Sequence, residues 1–485
     1  MKQKDNWPSR WGKADLESIL EKMANGANLP QSDVQISGYL PISRIETIAF
    51  EKVDLTRVKY VAVDENIIEK YSLQKGDILF SHINSDKHLG KTAIFNGEVD
   101  LIHGVNLLLI RAKEGYDKNL LNYLFKHYRF QGKFIDAAQR AVNQSSINQK
   151  KLNRFEIPLI PESEQQRIVA RLDSIFGHLD VLREKLDRIP ELLKNFRQQV
   201  LTQAVTGELT REWREFTKDI SSDDLLRVKQ IKIDLIKNGA VKRSKLEPTK
   251  DEEIFLSRIP TEWSKTKLES IFDFIDYRGK TPKKTKSGIR LITASNIKMG
   301  SLADEPIDYM SKNDFDKWMT RGFPKKGDLF FVTEGATMGN VALNDRTDSF
   351  ALAQRTLTLH NICNVNSEFY LIVLLSNFFQ RVIEKNATGT AARGIKAARF
   401  KNLTVPFPSL NEQKIIVEKV GSLFKIADKI ESHYQSLKAK IDQLPQAVLA
   451  KAFRGELVGQ EVKEYVREVE ELGMVAENIV DCKSC

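Results

Sequence analysis

The sequence predicts an α+β protein built from two copies of one unit, each a globular domain followed by a long helix with a heptad pattern. Three observations predict this fold class. The 485 residues exceed what one hydrophobic core usually organises. Short motifs recur at an interval of about 250 residues, far beyond the 20 to 50 residues of solenoid repeats. Two stretches carry apolar residues at alternating steps of three and four, which predicts two coiled-coil helices related by an internal pseudo-twofold repeat.

The internal repeat is clearest at the start and the end of each long helix. Glu164-Gln165 recurs as Glu412-Gln413, at 412 − 164 = 248 residues, and the same interval carries Gly207-Glu208-Leu209 onto Gly455-Glu456-Leu457. Further matches lie upstream at 260 − 8 = 252 and 326 − 75 = 251 residues: Pro8 and Trp11 with Pro260 and Trp263, and Lys75-Gly76-Asp77 with Lys326-Gly327-Asp328. The chain is therefore predicted to be a duplicated half and not a stacked array.

Each repeat is predicted to begin with a mixed domain, residues 1–161 in the first copy and residues 257–408 in the second. Short apolar runs after turn residues predict buried strands, and a longer run with helical spacing follows them. The strand runs are 77–80, 101–102 and 107–110 in the first copy and 328–332 and 357–359 in the second, and the helical runs are 119–130 and 368–383. This succession is typical of an α+β domain.

Residues 162–212 and 409–460 are each predicted to form a long helix with an apolar seam. The first seam consists of Leu172, Ile175, Leu179, Leu182, Leu186, Ile189, Leu193, Phe196 and Val200. Adding 248 gives the second, Val420, Leu423, Ala427, Ile430, Tyr434, Leu437, Ile441, Leu444 and Val448. Two seams of equal length favour an antiparallel coiled coil, and the alternative is that each helix only covers its own domain.

Helix-breaking residues lie within and just after the seams. Pro190 and Pro445 stand inside the two patterns, so we expect a kink or a local break at each. Gly207 and Gly455 follow the seams closely and have the character of helix C-terminal signals.

Residues 213–256 join the two copies, and residues 461–485 form a tail that we expect to be solvated. In the linker, Ser221-Ser222-Asp223-Asp224 is a candidate N-cap for a short helix from Leu225 to Lys237. The charged stretch from Lys242 to Glu253 is typical of an exposed linker.

Cysteine usage and hydropathy bear on the compartment. The chain has three cysteines, an odd and sparse count that fits a reducing environment. Cys482 and Cys485 form a lone C-x-x-C pair without the histidine or second pair that a zinc site needs. No apolar signal segment opens the sequence, and the longest apolar run, near 370–375, is far shorter than a membrane span. We therefore expect a cytoplasmic protein.

A search for catalytic chemistry yields no candidate residue. No Pro-Pro pair occurs, although methyl transfer to an exocyclic amine needs an Asn/Asp-Pro-Pro-aromatic loop. Gly90-Lys91-Thr92 and Gly279-Lys280-Thr281 lack the first glycine of a phosphate-binding loop, since Ser85 and Phe274 stand at that place. Three histidines of the first domain lack metal-ligand spacing: His82, His88 and His103. We predict that this chain carries no catalytic residue and no metal ligand.

Basic and polar loops are the positive signal. The net charge of +10 and a pI near 9.1 suggest a polyanionic partner, most often nucleic acid, and the alternative is a lysine-rich solubility surface. The candidate DNA-binding residues of the first domain are Lys87, Lys91, Arg140, Asn143, Gln144, Ser145, Lys150 and Lys151. Those of the second domain are Arg278, Lys280, Lys283, Lys284, Lys286, Arg290, Arg393, Lys396 and Arg399. Such side chains suit contact with phosphates and base edges, although solvated charged loops have a similar composition.

The two copies diverge most in one polar segment before the long helix. Residues 140–151 and 390–399 differ greatly, while the flanking Ile147 and Pro158 match Ile395 and Pro406. This contrast is what two readers of different DNA sequences on one scaffold would show.

The order of these motifs, given twice, resembles the specificity subunit of type I restriction-modification systems. The resemblance covers about residues 6–460. The matching features are Pro8, Trp11 and Leu16-Glu17 with Pro260, Trp263 and Leu268-Glu269; the two Lys-Gly-Asp turns; Arg278-Gly279-Lys280-Thr281-Pro282; Ile157-Pro158 and Val405-Pro406 before the two Glu-Gln motifs; and the helix ends at 204–210 and 452–457.

The resemblance implies a function that the residues alone do not supply. Each globular part would be a target recognition domain that reads one half of a bipartite, asymmetric DNA site. The paired helices would fix the spacer between the halves and dock two methyltransferase subunits, which carry S-adenosylmethionine and methylate adenine. Restriction subunits would add ATP- and Mg-dependent translocation and cleavage, so this chain would be non-catalytic and hold no cofactor. The rival readings are a self-contained DNA methyltransferase or nuclease with an unrecognised site, and a scaffold that binds only protein.

Overall fold

The structure is a computed structural model that describes residues 7–141, 144–217, 223–250, 256–277, 281–389, 393–457 and 460–480. The chain divides into two compact units. Unit 1 consists of residues 1–187 and 434–473, and unit 2 of residues 188–433 and 474–485. Each unit therefore contains one globular domain, part of one long helix and part of the other.

The domain of unit 1 is built from small antiparallel sheets and short helices. Its strands are β1 Gly12–Asp15, β2 Leu20–Asn25, β3 Tyr39–Ile42, β4 Lys59–Ala62, β5 Ile78–Phe80, β6 Ile83–Asn84, β7 Thr92–Ile94, β8 Leu108–Ala112, β9 Gln139–Ala141, β10 Gln144–Ser146 and β11 Glu156–Leu159. Its helices are α1 Glu65–Tyr71, α2 Lys118–Phe130, α3 Lys133–Ala137 and α4 Gln149–Asn153. The central sheet has the order β2-β8-β5-β7, and β6-β10-β9 and the pairs β1-β11 and β3-β4 surround it.

The predicted turn and buried strand at 77–80 form the centre of this domain. Gly76 has a φ of 100°, a left-handed conformation that a side chain rarely adopts. The turn leads into β5, whose three apolar side chains are fully buried. The ring of Phe80 meets those of Phe125 and Phe134 edge to face at 5.6 and 5.0 Å, which fastens α2 and α3 onto the sheet.

The domain of unit 2 repeats this framework. Its strands are β12 Ser264–Lys267, β13 Asp273–Asp276, β14 Ile289–Ile292, β15 Asp308–Met310, β16 Leu329–Val332, β17 Val341–Leu343, β18 Phe350–Leu352, β19 Thr356–His360 and β20 Thr404–Phe407. Its helices are α8 Leu268–Ile271, α9 Lys312–Trp318, α10 Ser367–Leu375, α11 Asn377–Asn386 and α12 Ala397–Lys401. The sheet β13-β19-β16-β17 matches β2-β8-β5-β7, and the sheet β15-β14-β18 adds to it.

One predicted helix of this domain is two helices. The run 368–383 was expected to be continuous, but α10 ends at Leu375 and α11 begins at Asn377. Ser376 between them has an extended backbone, and its hydroxyl accepts a hydrogen bond from the Phe379 amide. The serine side chain therefore caps the second helix and ends the first, which the apolar periodicity hides.

The two long helices are α5 Glu162–Val205 and α13 Leu410–Phe453, each of 44 residues. Both predicted seams are confirmed, because every seam side chain is buried except Leu423, which is half-buried. Both helices continue through Pro190 and Pro445, so the expected local break is wrong. Burial of the seam on either side of each proline offsets the hydrogen bond that the proline cannot donate.

Contacts inside each unit show that the helices run antiparallel, as predicted. In unit 2, Arg197 on α5 lies 2.9 Å from Asp428 and 2.7 Å from Glu431 on α13, counted between side-chain nitrogen and oxygen. In unit 1, Lys438 on α13 lies 4.0 Å from Asp187 on α5. The alternative that each helix covers only its own domain is therefore excluded.

The glycines after the helices are the predicted C-terminal signals. Gly207 and Gly455 have φ of 74° and 71°. A Cβ atom on Gly207 would lie 2.4 Å from Pro260, and one on Gly455 would lie 2.9 Å from Pro8. The end of each helix thus contacts the start of the other repeat's domain, and glycine is needed for both the conformation and the close approach.

The linker is more structured than its charge suggested. Helix α7 Asp223–Lys237 matches the predicted helix from Leu225 to Lys237 closely, although the expected cap residues 221–222 lie outside the described residues. Helix α6 Arg211–Phe216, which was not predicted, precedes it. The stretch after Lys242 was expected to be an exposed linker. Most of its described residues are exposed, but the Glu247 amide donates to the Ala398 carbonyl at 3.1 Å, and Lys250 and Asn386 exchange two hydrogen bonds of 2.9 Å. The linker is thereby fastened to the domain of unit 2.

The tail, which was expected to be solvated, contains a helix. Helix α14 runs from Gln460 to Val480, with Val469 fully buried and Glu470 3.3 Å from Lys185 of α5. Cys482 and Cys485 lie outside the described residues. Within the described part of the chain, none of the helices is both long and apolar enough to cross a lipid bilayer.

Candidate nucleic-acid interface

The repeated Glu-Gln motif joins each domain to its long helix. In unit 1, the Trp11 indole donates to Glu164 at 3.1 Å, and the Gln165 side chain accepts the Asp117 amide at 2.7 Å. Asp117 is the N-cap of α2, so the motif fixes the start of that helix as well.

Unit 2 repeats this joint at the equivalent residues. The Trp263 indole donates to Glu412 at 2.9 Å, and the Gln413 side chain accepts the amide of Asn366, the N-cap of α10, at 3.1 Å. The Pro-x-x-Trp and Glu-Gln motifs therefore form one hydrogen-bonded cluster in each unit, which we call the node. The node sets the position of each domain on its helix.

The two nodes differ in burial. Glu412 is completely buried and also accepts hydrogen bonds from Arg214 and Thr210, both at 2.7 Å. Glu164 is partly exposed, and its partner Arg10 has a side chain that is 58% exposed. The carboxylate of unit 2 is thus a closed buried site, whereas that of unit 1 is open to water.

Two polar segments meet at one edge of the domain in unit 1. We define edge 1 as the loop 81–91 after β5 together with residues 139–141 and 144–151. The Ile147 amide donates to the His82 carbonyl at 2.9 Å, β10 pairs with β6, and the Ser145 hydroxyl bonds Asp86. The structure therefore brings together the described parts of the two segments that carry the predicted first-domain candidates, which the sequence places more than 45 residues apart (140 − 91 = 49).

The candidate residues of edge 1 differ in the exposure and the intramolecular hydrogen bonds of their side chains. Lys87 and Lys150 are exposed, whereas Ser145 is buried. The Lys91 ammonium donates to the Ala49 carbonyl at 2.6 Å, and burial and neighbouring Arg129 lower its pKa. Lys151 donates to the Ala137 carbonyl at 3.1 Å. The side chains of Arg140 and Gln144 and the whole of Asn143 lie outside the described residues.

The same arrangement recurs in unit 2. We define edge 2 as the loop 333–338 after β16, the turn 353–355 between β18 and β19, and residues 388–389 and 393–395. The Ile395 amide donates to the Thr333 carbonyl at 2.8 Å, which repeats the contact of Ile147 with His82. The Gln354 amide group donates to Thr281 at 3.3 Å, so the basic loop after β13 adjoins this edge.

The predicted residues of unit 2 fall into two groups. Lys283, Lys286 and Arg393 are exposed, and no partner of their side chains occurs among the described residues. The other four described candidates bond within the fold: Lys284 to Asp308 at 2.7 Å, Arg290 to the Asp304 carbonyl, and Lys396 and Arg399 to Glu247 at 3.2 and 3.7 Å. Arg278 and Lys280 lie outside the described residues. The DNA-binding role of all these residues stays a prediction.

Sequence reasoning missed the turn at 353–355. Gln354 and Arg355 stand there between two buried strands, and Glu334 lies opposite them. The sequence feature that indicates this turn is the polar pair Gln354-Arg355, which interrupts an apolar run and lies outside the basic clusters.

Two histidines of unit 1, His82 and His103, are buried within the domain. Across the described residues, no group of three or more His, Cys, Asp or Glu side chains converges as metal ligands would. His103 is buried, with Nε2 2.9 Å from the Leu107 carbonyl, and burial lowers its pKa to about 4. Burial likewise lowers the pKa of His82 to about 4.

Acid should therefore destabilise this domain. A histidine with a folded pKa of about 4 and an unfolded value of 6.5 stabilises the fold fully above pH 6.5, and this contribution is lost between pH 6.5 and 4. We expect His103 alone to cost about 2 kcal/mol of unfolding free energy between pH 7.5 and 5. Chemical denaturation at both pH values tests this, with His103→Gln as the comparison. Equal pH dependence in the two proteins would refute the assignment.

The fold and its two edges define a class: a duplicated protein that presents two unlike polar surfaces on one framework, joined by paired helices. The sequence profile of the Type I restriction modification DNA specificity domain matches residues 8–191 and again 260–439. The chain therefore belongs to the specificity subunits of type I restriction-modification systems, and the resemblance seen in its motifs is confirmed.

Individual relatives agree with this family over nearly the full chain. The putative type I restriction enzyme MjaX specificity subunit of Methanocaldococcus jannaschii is 27% identical over 90% of this chain and 93% of its own. The EcoKI specificity subunit of Escherichia coli K12 is 24% identical over 87% and 83%. Among solved structures, the HsdS subunit from Thermoanaerobacter tengcongensis has a TM-score of 0.54 at 17% identity, covering 93% and 98% of the two chains. A chain from a study of type I R-M complex assembly and conformational transition has a TM-score of 0.59 at 16% identity, covering 93% and 99%.

Proposed function

We propose that each globular domain of this specificity subunit reads one half of a bipartite, asymmetric DNA site. The observation that carries this proposal is the pair of edges. Both are held by the same backbone contact, Ile147 to His82 and Ile395 to Thr333, yet their exposed side chains differ. One framework with two different polar surfaces suits two different half-sites, because base edges are read by side chains and not by the framework.

The paired helices set the spacer between the half-sites and dock two methyltransferase subunits. Each helix of 44 residues is roughly 66 Å long, and the buried seams make the pair stiff. A stiff pair converts residue number into a fixed distance along DNA. Linking two half-site readers in this way raises specificity, because the second contact is intramolecular.

The chemistry resides on other chains of a cytoplasmic complex. The methyltransferase subunits bind S-adenosylmethionine and methylate adenine at N6, and the restriction subunits use ATP and Mg²⁺ to translocate and cut DNA. Family membership supports this division of labour. The chain contributes sequence recognition and assembly.

Selection from a randomised duplex library by the purified complex tests the reading function. The complex contains this chain and its methyltransferase subunits, and we expect enrichment of two unlike half-sites separated by a fixed number of unspecified base pairs. Enrichment of one uninterrupted motif would contradict the proposal. Binding of labelled S-adenosylmethionine by this chain alone would favour a self-contained enzyme, and absence of salt-dependent DNA binding by the complex would favour a protein scaffold.

The basic loop next to edge 2 should contact phosphates. Replacing both Lys283 and Lys286 by alanine should weaken binding about equally for all DNA sequences and lower the salt dependence, log Kd against log salt, by about one unit per lysine. Titrations across a salt series measure this. A matched control replaces Lys312 and Lys317, two exposed lysines of α9. An identical effect of the two double variants would show that only net charge matters.

A further inference from the structure

Arg355 has an unusual and firmly held backbone. It stands in the turn between β18 and β19 with a φ of 76°, a left-handed conformation that is uncommon for any residue with a side chain. The buried Thr333 donates to the Arg355 carbonyl twice, from its amide at 2.9 Å and from its hydroxyl at 3.1 Å. The turn is thus fixed by the residue that follows β16, and the arginine side chain is exposed at edge 2.

The side chain of Arg355 is oriented but still accessible. Its Nε lies 3.3 Å from a carboxylate oxygen of Glu334, and the two side chains are 55% and 51% exposed. Among the described residues, Glu334 is the partner of this guanidinium. Because the contact with Glu334 is made at Nε, the two terminal nitrogens remain for a second, planar acceptor pair. Such an end-on pair of donors matches O6 and N7 of guanine in the major groove.

The surroundings of Arg355 suit contact with DNA. The exposed Arg393 is adjacent, because its carbonyl accepts the Gly335 amide at 3.0 Å in the same loop as Glu334. On the other side, Gln354 bonds Thr281 of the basic loop. Arg355 therefore stands between two cationic segments that can hold the DNA backbone, which is where a base-reading side chain is needed.

The equivalent position in unit 1 carries a different reader. In the sheet register, Phe331 opposes Leu357 and Phe80 opposes Leu108, so Arg355 corresponds to Asn106, two residues before the paired leucine in each case. Asn106 is exposed. Asparagine pairs with adenine through two hydrogen bonds as arginine does with guanine, so one structural position carries two base preferences.

We propose that Arg355, oriented by Glu334, is a specificity-determining residue that reads a guanine in the half-site of unit 2. The inference rests on the proposed function, in which the domain of unit 2 reads one half-site. Glu334 acts as a positioning residue: it holds the guanidinium in its plane and does not contact the base.

Library selection with the intact complex tests this assignment. Arg355→Ala should lose at least about tenfold discrimination for guanine at one position of one half-site, with the other half-site and the spacer unchanged. Arg355→Lys keeps the charge and the Cβ atom but cannot make the planar contact, so it should lose the same preference. Glu334→Gln should blur the preference at that same position.

Controls separate this idea from changes in charge or folding. Arg346 also pairs with exposed carboxylates, Asp304 at 3.1 Å and Asp348 at 2.9 Å, but it precedes β18 whereas Arg355 follows that strand. Arg346→Ala should leave every base preference intact. Unchanged specificity in folded Arg355→Ala and Arg355→Lys would overturn the inference while leaving a bipartite wild-type site intact. A wild-type complex without two half-sites would overturn the proposed function and the inference together.

Discussion

Replacing Glu412 by alanine should lower the free energy of unfolding of unit 2 by about 3–5 kcal/mol. Its carboxylate is completely buried and accepts hydrogen bonds from Arg214, Thr210 and the Trp263 indole. Removing it leaves a guanidinium that is only 8% exposed without its counter-charge. Chemical denaturation, followed by fluorescence of the buried Trp263, measures the loss.

The internal repeat supplies the matched control. Glu164 occupies the equivalent place, but its partner Arg10 is largely exposed and can be solvated when the carboxylate is removed. Glu164→Ala should therefore cost only about 1 kcal/mol. Equal losses in the two variants would show that burial of the node does not determine its contribution.

Inserting one heptad into both α5 and α13 should lengthen the preferred spacer of the DNA site without abolishing recognition. Seven helical residues add about 10.5 Å, which corresponds to at most about three base pairs. The seam keeps its register because each helix gains a whole repeat. Selection from a library with variable spacers measures the shift, and an unchanged spacer would refute the ruler role.

A single insertion is the control for this experiment. A heptad added to α5 alone displaces its seam against α13 and separates pairs such as Arg197 and Asp428. We expect this variant to lose stability and site recognition together. If it behaved like the double insertion, the pairing of the helices would not set the spacer.

The helical part of the fold could be predicted in detail because its information is local. A heptad seam predicts which side chains are buried. The side chains of the seams from Leu172 to Val200 and from Val420 to Val448 are buried as predicted, apart from the half-buried Leu423. The prediction of helix bounds failed where a single side chain or its packing determined the local structure against the apolar periodicity. Ser376 divides one predicted helix, and the continuous packing around Pro190 suppresses the expected break.

The candidate site could be predicted only in outline. The described parts of the diverging segments lie at the two edges, and their contact with DNA stays a prediction. The availability of each side chain for DNA depends on partners that are distant in the sequence. Lys396 and Arg399 are bonded to Glu247, which lies about 150 residues away and was expected to be an exposed linker residue. The backbone of Arg355 is held by Thr333, which follows β16 and lies 22 residues earlier in the sequence, a contact that no local pattern reveals.

In the proposed function, one chain carries two globular domains that recognise different DNA half-sites and are joined by paired helices. Mapping of methylated bases in DNA from cells that express this chain with its partner subunits tests it most directly. We expect methylation at one bipartite DNA motif with unlike halves and a fixed spacer, and we expect this methylation to disappear when this chain is removed. A palindromic or uninterrupted motif, or methylation that persists without this chain, would contradict it.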